Sequence, residues 1–135
     1  DTAPGLEHAI RTARRLAHSG SRVMLLADAA SIEAVSGAEL AALGLHADVA
    51  CVLLEDPLEV TPPRRGLAFA GPASRVEIDL SMADARQAWS ARFEGRAEAQ
   101  ATRLGELRIA CRRLATDGPL EPLLSLWHRP GEASA

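Results

Sequence analysis

The sequence contains no lysine, no asparagine and no tyrosine, although it is 135 residues long. Because its 15 residues with a permanent positive charge are therefore all arginine, mechanisms that need a lysine amine are excluded. These include phosphate-loop nucleotidases, pyridoxal enzymes, Schiff-base aldolases and receiver-type phosphoacceptor domains. The accompanying abundance of alanine and arginine is typical of a GC-rich genome.

Long apolar runs and blocks of like charge are also missing. No run approaches the roughly 20 residues of a membrane-spanning helix, and the first residues lack the pattern of a signal peptide. The formal net charge of −3 is spread along the chain, which argues against a nucleic-acid-binding surface. We therefore expect one globular domain over residues 1–129, a flexible tail over 130–135, and a cytoplasmic location without membrane contact.

Cysteine and histidine are sparse and scattered. Cys51 and Cys111 lie in separate apolar runs and form no Cys-x-x-Cys unit, so we predict two buried, reduced thiols. The four histidines show no His-Glu-x-x-His pattern, which predicts surface positions rather than metal ligands. A Gly-x-Ser-x-Gly elbow is absent as well, which disfavours a serine hydrolase.

Two short, continuous apolar runs predict the centre of the fold. Residues 23–27 and 47–54 are each too short for a helix and each is followed by acidic residues, a pattern typical of parallel strands covered on both faces. Apolar spacing predicts one helix over 5–18 and another, capped by Ser31, that continues to Leu43. Residues 107–115 fit either an extension of the helix before them or a short strand; because Gly105 interrupts that helix, we predict a third strand there.

The region between the second and third strands predicts a hairpin followed by a long helix. Alternating apolar residues indicate two antiparallel strands over 66–80, which would close the edge of a mixed sheet. The helix is predicted to begin at a capping box of Ser81 and Asp84 and to place Trp89 and Phe93 on a stripe facing the core. The predicted fold class is α/β, with a mostly parallel open sheet, an antiparallel hairpin and flanking helices.

Acidic residues follow each of the three predicted parallel strands: Asp28, then Glu55 and Asp56, then Asp117 beside Thr116. Because the carboxyl ends of parallel strands meet at one rim of a sheet, we expect these side chains to be neighbours. Such oxygen ligands suit Mg²⁺, and paired carboxylates can perform acid–base chemistry. The alternative is that the aspartates are turn formers and helix-start residues, favoured there by exposed N–H groups and the helix dipole.

Three segments together resemble a bacterial protein family: GSRVMLLAD at 20–28, DVACVLLEDPLE at 48–59 and LATDGPL at 114–120. In this order, with a hairpin and an Arg/Ala-rich helix between the last two, they resemble the carboxyl-terminal half of the family of domain of unknown function number fifty-eight. That family is related to von Willebrand factor A domains. The resemblance extends from Leu6 to Trp127, and its most specific parts are 56–59 and Thr116-Asp117.

The resemblance implies half of a Rossmann-like domain that binds a protein partner rather than catalysing a reaction. Related adhesion-type domains hold a divalent ion mainly with an Asp-x-Ser-x-Ser loop, and Asp28 matches a further aspartate that follows their fourth strand. Asp79 and Ser81 keep only the first two positions of that loop and follow a different strand. The resemblance thus implies a partial metal site at Asp28, no cofactor in this chain, and Mg²⁺ in the complete domain.

The resemblance also suggests partners. Proteins of this family are typically encoded beside MoxR-type AAA+ ATPases, which implies a shared role in assembly or maturation. With the first strand of the domain missing, the strand at 23–27 would have an open edge, so we predict a homodimer joined through that edge or its neighbouring helices. The alternative function is a small Mg²⁺-dependent hydrolase that uses Asp28, Asp56 and Asp117.

Overall fold

The computed structural model describes residues 5–71 and 73–127. The helices are α1 Leu6–Leu16, α2 Ala29–Ala34, α3 Gly37–Gly44, α4 Pro57–Val60, α5 Ala83–Phe93, α6 Arg96–Glu106 and α7 Leu124–Trp127. The strands are β1 Arg22–Asp28, β2 Asp48–Glu55, β3 Gly66–Ala70, β4 Arg75–Asp79 and β5 Ala110–Ala115, and a 3-10 turn at Glu121–Leu123 precedes α7. The predicted tail over 130–135 and His128 lie outside the described residues.

Three strands form a parallel sheet in the order β1-β2-β5, and β3 pairs with β4 in a separate antiparallel hairpin. The register places Leu25, Cys51 and Cys111 in one row across the sheet. This architecture confirms the predicted α/β class. The hairpin, however, does not close an edge of the parallel sheet, because its two strands pair with each other as a sheet of their own.

The main core lies on one face of the parallel sheet, which we call the inner face. Alternate strand residues, such as Leu25 and Leu53, pack there against α1, α2, α3 and α6. The helices contribute side chains that are almost fully buried: Ile10, Ile32, Leu40, Leu43 and Leu104. Since burial of one such side chain contributes about 1.5–3 kcal/mol, this cluster is the main apolar stabilisation of the chain.

Two helices that were predicted as continuous are each divided in two. The first breaks after α2, and the Ser36 hydroxyl starts α3 by accepting a hydrogen bond of 3.2 Å from the Glu39 backbone N–H. The second breaks at Gly95, whose φ of +72° is a left-handed conformation that glycine adopts without a Cβ clash. The predictions were wrong because apolar periodicity reports which side faces the core, and that periodicity can continue across a break.

The start of α5 also differs from the prediction. Ser81 does not form a capping box with Asp84, because its backbone N–H and its hydroxyl both donate to Asp79 Oδ1, at 3.0 and 2.6 Å. These two donors lower the pKa of the Asp79 carboxyl. The Ser81 hydroxyl therefore bonds to the Asp79 carboxylate, two residues upstream, instead of capping α5 as the sequence pattern predicted.

The aromatic residues of α5 form a separate cluster beneath the hairpin. Trp89 and Phe93 are half-buried, and the Trp89 ring centroid lies 5.4 Å from that of Phe69 and 4.8 Å from that of Phe93. The Trp89 indole N–H donates to the Leu58 carbonyl at 3.1 Å, which ties α5 to α4. Their predicted place in the main core was wrong, because the break at Gly95 lets α6 alone pack on the sheet.

Cys51 and Cys111 are free thiols that lie side by side on β2 and β5. Cys51 is fully buried and Cys111 is partly buried, so the prediction of two thiols in strands is confirmed, with unequal burial. Burial, and then the neighbouring Cys111 thiol, raises the pKa of Cys51 to about 12. Burial also raises the pKa of Cys111. At neutral pH neither group therefore forms the nucleophilic thiolate.

Candidate functional site

The three parallel strands end at one rim of the sheet, as the sequence predicted. The register places Asp28 beside Leu54, and Glu55 beside Ala115. The Thr116 backbone N–H then donates to the Glu55 carbonyl at 2.9 Å, which continues the pairing one residue past β5. The segments that carry the predicted acidic residues thus leave the sheet at neighbouring positions.

Asp28 begins helix α2. Its Oδ1 atom accepts a hydrogen bond of 2.7 Å from the Ser31 backbone N–H, so Asp28, and not Ser31, is the N-cap residue. A carboxylate in this position satisfies an otherwise unpaired N–H and interacts favourably with the helix dipole. This residue therefore has the helix-start role that the sequence analysis gave as its alternative.

Asp56, Thr116 and Asp117 are exposed, as Asp28 is, whereas the Glu55 side chain is only 17% exposed. Asp56 caps the short helix α4, where its Oδ1 accepts from the Leu58 backbone N–H at 2.9 Å. Thr116 and Asp117 lie in an exposed turn after β5 that is closed by a hydrogen bond of 2.9 Å from the Gly118 N–H to the Ala115 carbonyl. Asp28 and Asp56 thus each contribute one carboxylate oxygen to a local backbone hydrogen bond.

Glu55 makes an ionic contact at the rim, with Arg113. The Arg113 guanidinium donates Nε–H to Glu55 Oε2 and Nη2–H to Glu55 Oε1, both at 2.8 Å, in a two-pronged geometry. This hydrogen-bonded contact raises the pKa of Arg113. The sequence analysis did not pair these residues, because 57 residues lie between them and only the parallel β2–β5 pairing brings them together.

Glu59 is a further rim residue that the sequence analysis did not single out. It lies one helical turn after Asp56, on α4, and is half-buried. Burial raises the pKa of the Glu59 carboxyl, the negative charges of Asp56 and Asp28 raise it further, and Arg96 opposes them. Glu59, Asp56 and Asp28 are thus close enough at the rim to interact electrostatically. The i, i+3 spacing from Asp56 was the signal available in the sequence.

No group of three or more His, Cys, Asp or Glu side chains with metal-binding geometry occurs within 5–71 and 73–127. Asp79 and Ser81, the residues compared with an adhesion-type metal loop, are bonded to each other at the end of the hairpin. His8, His18 and His46 are exposed on separate elements. The metal ligand role of Asp28 therefore stays a prediction that depends on residues outside this chain.

The parallel sheet has an open edge at β1, since in the described part of the chain β1 pairs with β2 alone. The face opposite the main core, which we call the outer face, is unevenly covered beside this edge. Leu26 and Val52 are neighbours on it, and Val52 is fully buried whereas Leu26 is 61% exposed. At the opposite edge of the sheet, Arg112 Nε–H donates to Ser125 Oγ at 3.3 Å, so α7 lies against β5. The outer face is therefore covered at Val52 of β2 and open at Leu26 of β1.

No family model, no curated protein and no solved structure matches the chain. None of the described helices has the length and apolar character needed to cross a membrane. What the chain does is therefore inferred from its own geometry, above all from the rim and from the open edge.

Proposed function

We propose that this chain is a non-enzymatic protein-interaction module, the second half of a von Willebrand factor A-like domain of the family of domain of unknown function number fifty-eight. The open edge at β1 supports this proposal most directly. Parallel sheets normally have both faces covered and four to six strands, whereas this sheet has three strands among the described residues and leaves Leu26 61% exposed at its edge. A further strand beside β1 would pair its outward backbone groups and shield Leu26.

The rim is the surface that such a module would present to its partner. Asp28, Asp56, Glu59 and Asp117 give it a negative character, and Arg113 is already engaged by Glu55. We propose that the partner is a MoxR-type AAA+ ATPase and that the pair acts in cytoplasmic assembly or maturation. Mg²⁺ would then bind only in the complete domain, where other segments supply ligands next to Asp28.

Catalysis by the rim carboxylates receives less support. Asp28 and Asp56 each hold the first turn of a helix, and Glu55 is held by Arg113 on both oxygens. A hydrolase would need two or three of these groups to face one ion or one water molecule. Their observed hydrogen bonds serve local structure instead.

The open edge can be tested with the isolated chain, for which a second copy is the available strand donor. We expect size-exclusion chromatography with light scattering, and native mass spectrometry, to show a dimer. We also expect amide hydrogen exchange over 22–28 to slow as the protein concentration rises, because β1 would pair with its counterpart. Leu26→Glu should give a monomer, since it places charge on the apolar surface beside the edge.

Leu45→Glu is the matched control, because Leu45 is also an exposed leucine, at 84%, but lies at the end of α3 and not on a strand. It should leave the dimer intact. A monomeric wild-type chain at several hundred micromolar, with unchanged exchange over 22–28, would contradict strand completion at β1. The same spectra, recorded with excess Mg²⁺, should show no bound ion; one ion per chain that Asp28→Ala removes would instead favour the hydrolase.

A further inference from the structure

A cleft of about 680 Å³ lies between α4, the β3–β4 hairpin and α5, and we call it the hairpin cleft. Phe69, Trp89 and Phe93 line it, so it gathers three of the four phenylalanine and tryptophan residues of the chain. Val76 on β4 also lines it and is 51% exposed. The volume and the aromatic lining are those of a site for one or two side chains, since ligand pockets commonly measure about 300–1,000 Å³.

One wall of the hairpin cleft is acidic. Asp56 and Glu59 line it from α4, and neither has an ion-pair partner among the described residues. Glu59 also borders an adjoining hollow of about 260 Å³, together with Glu94, Glu98 and the ion pair of Glu55 with Arg113. The carboxylates around Glu59 therefore outnumber the cations available to neutralise them, and a positive group would be attracted to this wall.

The cleft also shows how a guanidinium can be held there. Arg92, which among the described residues is the one cation that lines it, has its guanidinium carbon 5.7 Å from the centroid of the Phe93 ring. The Trp89 ring is fixed by the bond from its indole N–H to the Leu58 carbonyl and by its contacts with the two phenylalanines. The aromatic surface is thus held in place before any ligand arrives, which reduces the entropy lost on binding.

We propose that the hairpin cleft binds an extended segment of a partner protein that carries an arginine next to an apolar side chain. The apolar side chain would lie on Trp89, and the arginine would pair with Asp56 and Glu59. Arginine suits this wall better than lysine because its planar guanidinium can bond two carboxylate oxygens and stack on a ring at once. β1 contributes no residue to the cleft, so this proposal is independent of strand completion at the open edge.

The test uses the blocked tripeptide acetyl-Leu-Arg-Leu-amide and the full chain labelled with ¹⁵N. We expect the peptide to shift the Trp89 indole N–H signal, assigned with Trp89→Phe, and the amide signals of α4, β4 and α5. Glu59→Gln should weaken binding about three- to tenfold, because it removes one charge of the acidic wall. Glu106→Gln, a matched change on α6 outside the cleft, should leave the affinity unchanged.

Three results would overturn the proposal. The first is equal binding of acetyl-Leu-Glu-Leu-amide, which would show that the charge of the wall does not select the ligand. The second is binding of argininamide as tight as that of the tripeptide, which would indicate a small organic cation rather than a protein segment. The third is the absence of any shift at the Trp89 indole in millimolar peptide.

Discussion

Arg103 on α6 holds the end of a helix that lies far from it in sequence. Its guanidinium donates to the backbone carbonyl of Val35 at 2.7 Å and to that of Ile32 at 3.1 Å. These carbonyls lie where α2 ends, and a helix end leaves several carbonyls short of partners inside the helix; the Ile32 carbonyl also accepts from the Val35 N–H at 3.1 Å. One side chain thus makes the break between α2 and α3 possible and joins α6 to it.

Replacing Arg103 should destabilise the fold. In Arg103→Met the aliphatic part of the side chain is kept, but the Val35 carbonyl loses its donor and the Ile32 carbonyl keeps only the Val35 N–H, so we expect a loss of about 1–3 kcal/mol in the free energy of unfolding. Arg103→Lys should recover only part of this loss, because one ammonium group cannot reproduce the two-pronged geometry. Urea denaturation followed by circular dichroism measures both. Equal stability of Arg103→Met and wild type would show that water satisfies these carbonyls.

Gly95 and Gly105 provide a matched pair of glycine-to-alanine changes. Gly95 has a φ of +72°, where a Cβ atom is strained, so Gly95→Ala should lower the free energy of unfolding by about 1 kcal/mol. Gly105 lies within α6 and a Cβ there would meet no atom within 4 Å, so Gly105→Ala should raise it by about 0.5–1 kcal/mol. Thermal or urea denaturation gives both values. A stabilising Gly95→Ala would contradict the left-handed conformation assigned to the α5–α6 junction.

The buried thiols should make the chain unusually sensitive to alkaline pH. The pKa of Cys51 is about 12 in the folded chain, against an ordinary value of 9.0, so the folded state holds this proton where the unfolded state has lost it. The free energy of unfolding is therefore unaffected below about pH 9 and falls between pH 9 and 12, by up to about 1.4 kcal/mol per pH unit for one thiol.

The composition makes this window easy to interpret, because the chain has no lysine or tyrosine that would titrate in it. Urea denaturation between pH 8 and 11, with a reductant present, gives the slope. Cys51→Ala should remove most of it, and Cys111→Ala should remove less, because Cys111 is only partly buried. A slope that persists unchanged in Cys51→Ala would show that other groups cause the alkaline destabilisation.

Glu59 should make the free energy of unfolding depend on pH in the acidic range. Because burial and neighbouring negative charges raise its pKa in the folded chain, its ionisation destabilises the fold as the pH rises through that pKa. Glu59→Gln should therefore raise the urea midpoint at pH 7, and the gain should shrink towards pH 4, where Glu59 itself becomes protonated. Glu106→Gln serves as the exposed control. An equal increase in the urea midpoint of Glu59→Gln at pH 7 and at pH 4 would show that the charge of Glu59 is not its cause.

The sequence by itself determined the strands and the order in which they reach the rim. The runs at 23–27 and 47–54 are apolar without interruption, and only strands in a covered sheet need that pattern, so β1 and β2 were predictable within one or two residues. The two strands of the hairpin were also predictable, because apolar residues alternate along each of them. Because parallel strands end at one rim, the proximity of the predicted acidic segments also followed from the pattern.

Only the tertiary structure decided where the helices break and which side chains meet. Glu55 forms an ion pair with Arg113, Arg103 donates to the Val35 carbonyl, and Phe69 stacks on Trp89. The two residues of each pair are far apart in the sequence. Helical periodicity could not reveal these pairs, because it records the burial of one face and not the identity of what covers it. The hairpin cleft and the raised pKa of Glu59 result from such contacts, and so does the uneven burial of the outer face, where Val52 is fully buried and Leu26 is 61% exposed.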